Sequence, residues 1–505
     1  MRDDATIIKV LTARDGERDI DAVIGANLLD TLRGNDIPIA ANCGGRGTCG
    51  KCGVVIEGVN KLACQVDVAQ GMRVEVVNEE NSFVIITDYT DEAEKMGSSG
   101  DCKRPCVAID IGTTTVVLQL IDADSGKIVR TRSFLNGQRP YGEDVVTRIQ
   151  YSGEGDGLEV LNHAIRSGLN GALSALCADA GIDRARLEYI CVAGNTTMIY
   201  LLLGYQCQSL GVYPFTPQFD VKEKYTFKET FGSDDITCPV YIIPWASTYV
   251  GGDITAGYLA CCAGPDEIAL LVDMGTNGEM MLWAKGKVWC CSTAAGPAFE
   301  GGGIEFGTGS IPGAISKVDL VDGKFECETI GGASPVGICG SGVLDAAACL
   351  LHGEFVDASG RMDDPYFDDG AVIAEGANNK KILFTQKDMR ELQLAKSAVR
   401  AGVEIMLSVA DLTIAQLDAV YLAGGFGQKL RLESAVTVGL LPGEMSEKTK
   451  TSGNSSLGGC VKVCCNLDLL REAESLTKKA NEIHLNEHPD FQNLFMEHMM
   501  FPEEE

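Results

Sequence analysis

Positive charge is scarce in this chain. Its 505 residues carry 42 Lys and Arg against 71 Asp and Glu, a formal charge of −29. With no basic run to offset it, such a polyanion is a poor binder of nucleic acid and is repelled by anionic membranes. No uncharged apolar run reaches the ~18 residues of a membrane span. The opening MRDDATIIKV places acids where a signal peptide needs bases, so a cytoplasmic location is expected. No GxxxxGK[ST] occurs, which excludes a P-loop. The five histidines (His163, His352, His484, His488, His498) are scattered without metal-ligand spacing, and the three tryptophans (Trp245, Trp283, Trp289) read as packing residues.

Apolar residues and cysteine, by contrast, are abundant. Apolar residues make up 45% of the chain, enough for about three domains with large cores. The 20 cysteines are expected to be free thiols in a reducing compartment, the pairs Cys261-Cys262, Cys290-Cys291 and Cys464-Cys465 being core thiols. Four others are grouped. Residues 37–64 hold Cys43, Cys49, Cys52 and Cys64, spaced C-x5-C-x2-C-x11-C, among Gly44, Gly45, Gly47, Gly50 and Gly53. Thiolates are soft ligands for iron–sulfur clusters, zinc or copper(I). Glycine lets a loop wrap tightly with its N–H groups aimed at sulfur. Structural zinc more often uses two separated C-x-x-C knuckles, whereas here three cysteines share one loop and the fourth stands alone; an iron–sulfur cluster, zinc and four buried thiols all stay open on spacing alone. ATIIKVLT, DAVI, VVIEG and MRVEVV read as strands, with Leu28, Leu29 and Leu32 on a helix ending at Gly34. Residues 81–105 are mostly polar and read as a linker.

A repeat begins at residue 106. CVAIDIGTTTVVLQLIDADSGKIV and IALLVDMGTNGEMMLWAKGKVWCC share a strand, an Asp-x-Gly-Thr turn, a second strand, a Gly-Lys turn and a third strand. Asp110 matches Asp273, Gly112 matches Gly275 and Thr113 matches Thr276. Two matched halves predict a duplicated α/β region with a cleft between its lobes. Each turn aims N–H groups at one point, a nest for phosphate. Thr113, Thr114, Thr115, Thr276 and Asn277 supply polar contacts, and Asp110 and Asp273 can organise Mg²⁺. Simple turn chemistry is the plainer alternative for these residues. Glu279 either polarises water or is a solvated strand residue. Asp253 in VGGDITAG either approaches the metal or caps a helix, the cap being preferred. Gly340 and Ser341 lie at a strand-to-helix turn suited to phosphate. Gly424, Gly425 and Gly427, in a strand–GG turn, are expected to line a nucleoside pocket.

The two Asp-x-Gly-Thr hairpins and the later glycine turn resemble the acetate and sugar kinase/Hsc70/actin superfamily. The cysteine loop and its flanks resemble a plant-type [2Fe–2S] ferredoxin of the β-grasp kind, with one extra residue between the first two cysteines. Together they resemble the reductive activators of corrinoid proteins. GEDVVTRIQYS, VAGNTTMIYLLLG, YVGGDITAG, AAGPAFEGGGIEFG, CGSGVLDAAACLL, GNSSLGG and FMEHMMF are further family-like stretches.

The resemblance implies an α+β multidomain chain. A [2Fe–2S] ferredoxin-like domain spans 1–80 and a linker 81–105, followed by a first ATPase lobe at 106–265 and a second at 266–505. It also implies Mg-ATP, a corrinoid methyl-carrier protein as partner and an upstream low-potential electron donor; a homodimer is a further, open expectation. The implied activity passes one electron from the cluster to Co(II), restoring Co(I) for methyl transfer. A plant-type cluster lies near about −400 mV. An uphill gap of roughly 200 mV costs about 5 kcal/mol, a size that differential nucleotide binding can supply. An ATP-driven donor to another low-potential enzyme and a chaperone-like remodeller of B12 proteins are the alternatives.

Overall fold

The computed structural model describes residues 5–12, 16–35, 37, 39, 52–76, 102–142, 144–424 and 430–502. Cys43, Cys49, Gly425 and Gly427 lie outside them, as does most of the 81–105 segment.

The first unit is a mixed sheet of β1 (Ala5–Thr12), β2 (Gly16–Val23), β3 (Gly53–Ile56), β4 (Val59–Leu62) and β5 (Arg73–Val76), in the order β2-β1-β5-β3-β4. Helix α1 (Leu28–Gly34) is capped by Asn27, whose side chain accepts from the Leu29 N–H at 3.0 Å. Leu28, Leu29 and Leu32, spaced for one helix face, pack with Ile8, Val10, Val54 and Val74 into a small core. This unit touches the next one where Arg33 lies over the Tyr141 ring at 5.2 Å and donates to the Pro140 carbonyl.

Two sheets with the same strand plan follow. The first holds β6 (Pro105–Ile111), β7 (Thr115–Asp122), β8 (Ile128–Leu135), β9 (Ile190–Gly194), β10 (Tyr225–Thr226) and β11 (Pro239–Ile242), in the order β10-β11-β9-β6-β7-β8. It is followed by α2 (Val145–Ser152), α3 (Gly157–Asp179) and α4 (Thr196–Leu203), inserted between its strands, and then by α5 (Gly252–Cys261). The second sheet holds β12 (Ala269–Met274), β13 (Gly278–Ala284), β14 (Lys287–Thr293), β15 (Ala419–Ala423), β16 (Thr449–Gly453) and β17 (Ala480–Glu482), in the order β16-β15-β12-β13-β14-β17. β6, β7, β8, β9 and β11 correspond to β12, β13, β14, β15 and β16. The predicted duplication is therefore present in five strands of each sheet, with β10 and β17 added at opposite edges. Helices α6 (Gly340–His352), α7 (Gln386–Val409) and α8 (Ser455–Cys465) belong to the second half.

Strand alternation sorts β6 into two faces. Val107, Ile109 and Ile111 join the core under α3, which contributes Leu161, Ile165 and Leu169. Cys106 and Ala108 point the other way, against Leu457, Cys460 and Cys464 of α8. Small residues on that face let a helix approach closely, which accounts for these buried thiols. Cys290, Cys291, Cys261 and Cys464 are buried as expected, whereas Cys262 is half-buried and Cys465 is exposed because it falls on the outer face of α8. The three tryptophans are packed inside.

The halves exchange helices. α8, late in the second half, covers the first sheet. α5, at the end of the first half, and Val250 just before it reach the second sheet: Val250, Ile254 and Ala260 pack with Leu271, Met281 and Tyr421, while Ala256 and Leu259 stay with the first sheet. The two helices cross at glycines. A Cβ on Gly459 would sit 2.1 Å from the Ala256 carbonyl oxygen, and one on Gly257 would meet Ser455 Oγ at 2.9 Å. The neighbour at Gly459 is backbone and cannot swing aside. Gly459→Ala is thus expected to force the helices apart and destabilise the protein by about 1–3 kcal/mol. Denaturant melts would check this; a variant as stable as the parent would show that the crossing is slack.

Candidate nucleotide cleft and cysteine pair

Five carboxylates converge where the two sheets face each other. β6 delivers Asp110 and β12 delivers Asp273, each at the strand end before its glycine turn. Glu279 is the cross-strand partner of Asp273 in the β12–β13 ladder. In the first half Asp110 is opposite Val117, so the acidic pair exists in one lobe alone. Asp253 comes from the first turn of α5 and Glu300 from the loop after β14. Glu279 is 9% exposed, and the other four are half-buried.

Hydrogen bonds across the cleft fix this group. Ser456 Oγ donates to Asp110 at 2.7 Å and Asn454 Nδ2 donates to its other oxygen at 2.8 Å. Asn195 Nδ2 donates to Glu279 at 3.2 Å. Asn195 and Asn454 also cap α4 and α8, accepting from Thr197 N at 3.0 Å and Leu457 N at 2.8 Å. The sequence marks both positions with one pattern, Gly-Asn followed by two hydroxyl residues (194–197 and 453–456). Glu300 accepts from Thr276 Oγ1 at 3.3 Å, and the Thr114 hydroxyl faces it from the opposite lobe.

Crowding like charges out of water favours their neutral forms. Burial, then Asp110, pushes Asp253 up to about 7. Burial, then Asp253, Asp110 and Glu300, pushes Asp273 up to about 8. Burial raises Glu279 well above the ordinary range, with Asp253 and Asp273 adding to it. Asp110 and Glu300 are also raised by burial, opposed by their hydroxyl and amide donors. Raised carboxyls bind protons in the folded state that the unfolded chain has released. Stability of the metal-free protein must then fall as pH rises from about 4, the unfolded value, through about 7 and about 8. Calorimetry in chelator is expected to give a lower Tm at about pH 8.5 than at about pH 6; an equal or higher Tm would contradict the cluster.

Both turns are closed by their glycine N–H, the first being one residue longer than the second. Gly112 N donates to Thr115 O at 2.9 Å, and Gly275 N donates to Asn277 O at 3.0 Å. Thr113, Thr114, Thr276 and Asn277 stand at their tips. Gly424 sits at φ +104° with its Cα against the Met274 carbonyl and Asp273; a Cβ there would lie 2.3 Å from that carbonyl oxygen. Gly340 starts α6 as expected, one residue's contact from Glu300, since a Cβ on it would overlap the Phe299 carbonyl. The Ser341 hydroxyl is directed elsewhere and donates to the Ser316 carbonyl at 2.8 Å. Asp253 is a correction. Gly251 occupies the cap position of α5, and the Asp253 carboxylate, accepting from the Ile254 N–H at 2.9 Å, belongs to the acidic group. Sequence reasoning also missed Glu300, Asn195 and Asn454.

In the N-terminal unit Cys52 Sγ and Cys64 Sγ lie 3.3 Å apart, too far for a disulfide, whose length is about 2.05 Å. Cys52 is buried, and the Cys64 carbonyl accepts from Asn27 Nδ2 at 3.1 Å.

A doubled α/β sheet, joined by exchanged helices around an acid-lined cleft, defines the two-lobed, actin-like class of proteins. Residues 267–505 match a family model described as the C-terminal domain of RACo, the ASKHA domain, and 106–263 match the RACo middle region. A solved reductive activator for corrinoid, iron–sulfur protein is 30% identical, with 98% of each chain covered and a TM-score of 0.71. The corrinoid activation enzyme RamQ of Eubacterium limosum is 27% identical, covering 96% of this chain and 98% of that protein. The [Co(II) methylated amine-specific corrinoid protein] reductase of Methanosarcina barkeri is 27% identical over 75% of this chain and 73% of its own. The chain belongs to the family of reductive activators of corrinoid proteins.

Proposed function

We propose that this chain is an ATP-hydrolysing iron–sulfur reductase. It returns the cobalt of a corrinoid methyl-carrier protein from Co(II) to Co(I), one electron at a time. The observation that carries the reading is the meeting of Asp110, Asp253, Asp273, Glu279 and Glu300 from both lobes. Carboxylates so crowded are stable together only with protons or a cation among them. Hard oxygen donors suit Mg²⁺, so Asp110 and Asp273 are assigned to organise it. When bound, the ion would neutralise phosphate charge. The chain's own contribution is positional. Asn454 and Ser456 fix the Asp110 carboxylate, Asn195 fixes Glu279, and Glu279 lies where it can orient water. Gly112, Thr113, Thr114, Thr115, Gly275, Thr276 and Asn277 are assigned to the phosphates. Gly340 and Ser341 back the cleft, and Gly424, Gly425 and Gly427 are assigned to the nucleoside. Because Thr114 and Thr276 approach Glu300 from opposite lobes, nucleotide between them would report directly on closure.

Cys43, Cys49, Cys52 and Cys64 are assigned as ligands of a [2Fe–2S] cluster, which supplies a one-electron carrier. The unbridged approach of Cys52 to Cys64 in a β-grasp-like sheet supports this donor set. The division follows as cluster domain 1–80, linker 81–105, and lobes 106–265 and 266–505. The partners are a corrinoid carrier and an upstream low-potential donor, with no nucleic acid or membrane. The test is optical: the reduced, iron–sulfide-reconstituted protein is mixed anaerobically with a Co(II) carrier, with and without Mg-ATP. Co(I) absorption that grows in faster with Mg-ATP is expected. A rate indifferent to nucleotide, or a protein that stays colourless on reconstitution, would overturn the reading.

A further inference from the structure

Arg148 is fully buried in α2 and faces no carboxylate at ion-pair distance among the described residues. Its guanidinium donates to the Gly142 carbonyl (Nε, 2.9 Å), Gln138 Oε1 (Nη1, 3.4 Å), Met198 Sδ (Nη1, 3.0 Å) and the Thr113 carbonyl (Nη2, 2.6 Å). All four acceptors are neutral. Among the described residues, the charged groups around it are Arg139 and Asp144. Asp144 is committed to capping α2, accepting from Thr147 N at 2.7 Å, and Arg139 adds repulsion. Desolvation draws the guanidinium down to about 9, which leaves it charged at neutral pH.

A buried charge without a counter-ion is costly to fold. An apolar side chain of similar volume would fill the space but leave the Gly142 and Thr113 carbonyls without this donor. The position of the charge suggests a use. Asn136, also buried, donates from Nδ2 to the Gly112 carbonyl at 2.9 Å and from its N–H to the Thr114 carbonyl at 2.9 Å. Asn136 and Arg148 therefore strap the first glycine turn from behind. The guanidinium bonds one end of the Thr113–Thr114 peptide, whose other end is the Thr114 N–H. A charge on the carbonyl polarises that peptide and strengthens its N–H as a donor. The missing counter-ion is then the anion on the far side of the turn.

We propose that Arg148 is a positioning residue of the nucleotide site: it holds the first phosphate turn by the Thr113 carbonyl, and its charge is balanced by bound di- or triphosphate. This rests on the nucleotide reading above. The test measures affinities of adenosine, ADP and ATP with Mg²⁺ by calorimetry, for the parent, Arg148→Met and Gln138→Glu. The second substitution leaves the guanidinium in place and gives it an internal counter-ion at Nη1, at the cost of the Gln138 Nε2 bond to the Leu161 carbonyl, and it carries the test if Arg148→Met does not fold. Both are expected to weaken ADP and ATP by about tenfold or more, ATP the most, with adenosine within about twofold. Equal loss for all three ligands, or no loss for any, would overturn the proposal and leave Arg148 a packing residue. A parent protein that binds neither ADP nor ATP would overturn the nucleotide reading itself, and this inference with it.

Discussion

Asp273→Asn is expected to make the nucleotide-free protein more stable and to abolish the ATP turnover proposed above. Both effects have one cause. Asp273 is pushed up to about 8 by burial and by Asp253, Asp110 and Glu300. At pH 8 its ionised form is therefore a net cost to the folded chain. An amide of the same shape removes that charge and relieves the pressure on Asp253 and Glu279. The gain must shrink at pH 6, where the native carboxyl already holds its proton, so the Tm difference between variant and parent widens with rising pH. The same carboxylate stands at the end of β12, against Gly424 and beside the second turn. Catalysis of phosphoryl transfer is mainly positioning and charge neutralisation. Losing the acid at that point is expected to cost about a hundredfold or more in hydrolysis. Scanning calorimetry at two pH values and a phosphate-release assay give the two readouts. A variant that hydrolyses ATP like the parent would remove Asp273 from the reacting centre; one no more stable at pH 8 would show that the crowding is relieved by other means.

Residues close in sequence were the legible part of this site. Asp110 and Asp273 each precede a glycine turn in a repeated strand–turn–strand pattern, so their local geometry and pairing follow from one short stretch. The exchange of α5 and α8 was not legible, because it depends on which sheet lies nearer in space. Asp110 accepts from Asn454 and Ser456, more than 340 positions away, and no local pattern encodes that approach. Asp253 shows how local chemistry misleads. An acid before Ile-Thr-Ala-Gly at a helix start reads as a cap, but Gly251 takes the cap and leaves the carboxylate one step into the helix, aimed at the cleft. Glu300 carried a weak signal, a lone acid between Phe299 and three glycines. Arg148 carried none, since a buried cation on a half-apolar helix looks like a surface arginine until its neighbours are known.

Cys52→Ser separates the two halves of the proposed machine. Cys52 is 1% exposed and packs with Ala63, Val54 and Leu29 in the N-terminal core. Serine is close in size, so the fold should survive with about 1–3 kcal/mol lost to a buried hydroxyl. A hydroxyl is a far harder ligand than a thiolate and does not suit iron–sulfur chemistry. The variant is expected to lack the visible absorption of the reconstituted parent and to form no Co(I), while binding ADP and ATP as the parent does. That last expectation follows from the architecture: Arg33 over Tyr141 and its bond to Pro140 are the described links between the N-terminal unit and the first sheet, and none of the five carboxylates comes from residues before 105. Asp273→Asn gives the reciprocal pattern, keeping the absorption and losing the nucleotide response. If Cys52→Ser kept both its colour and its Co(I) formation, the cysteine loop would not be the electron carrier. If it lost nucleotide binding together with its colour, the two sites would be coupled more tightly than this single contact patch accounts for.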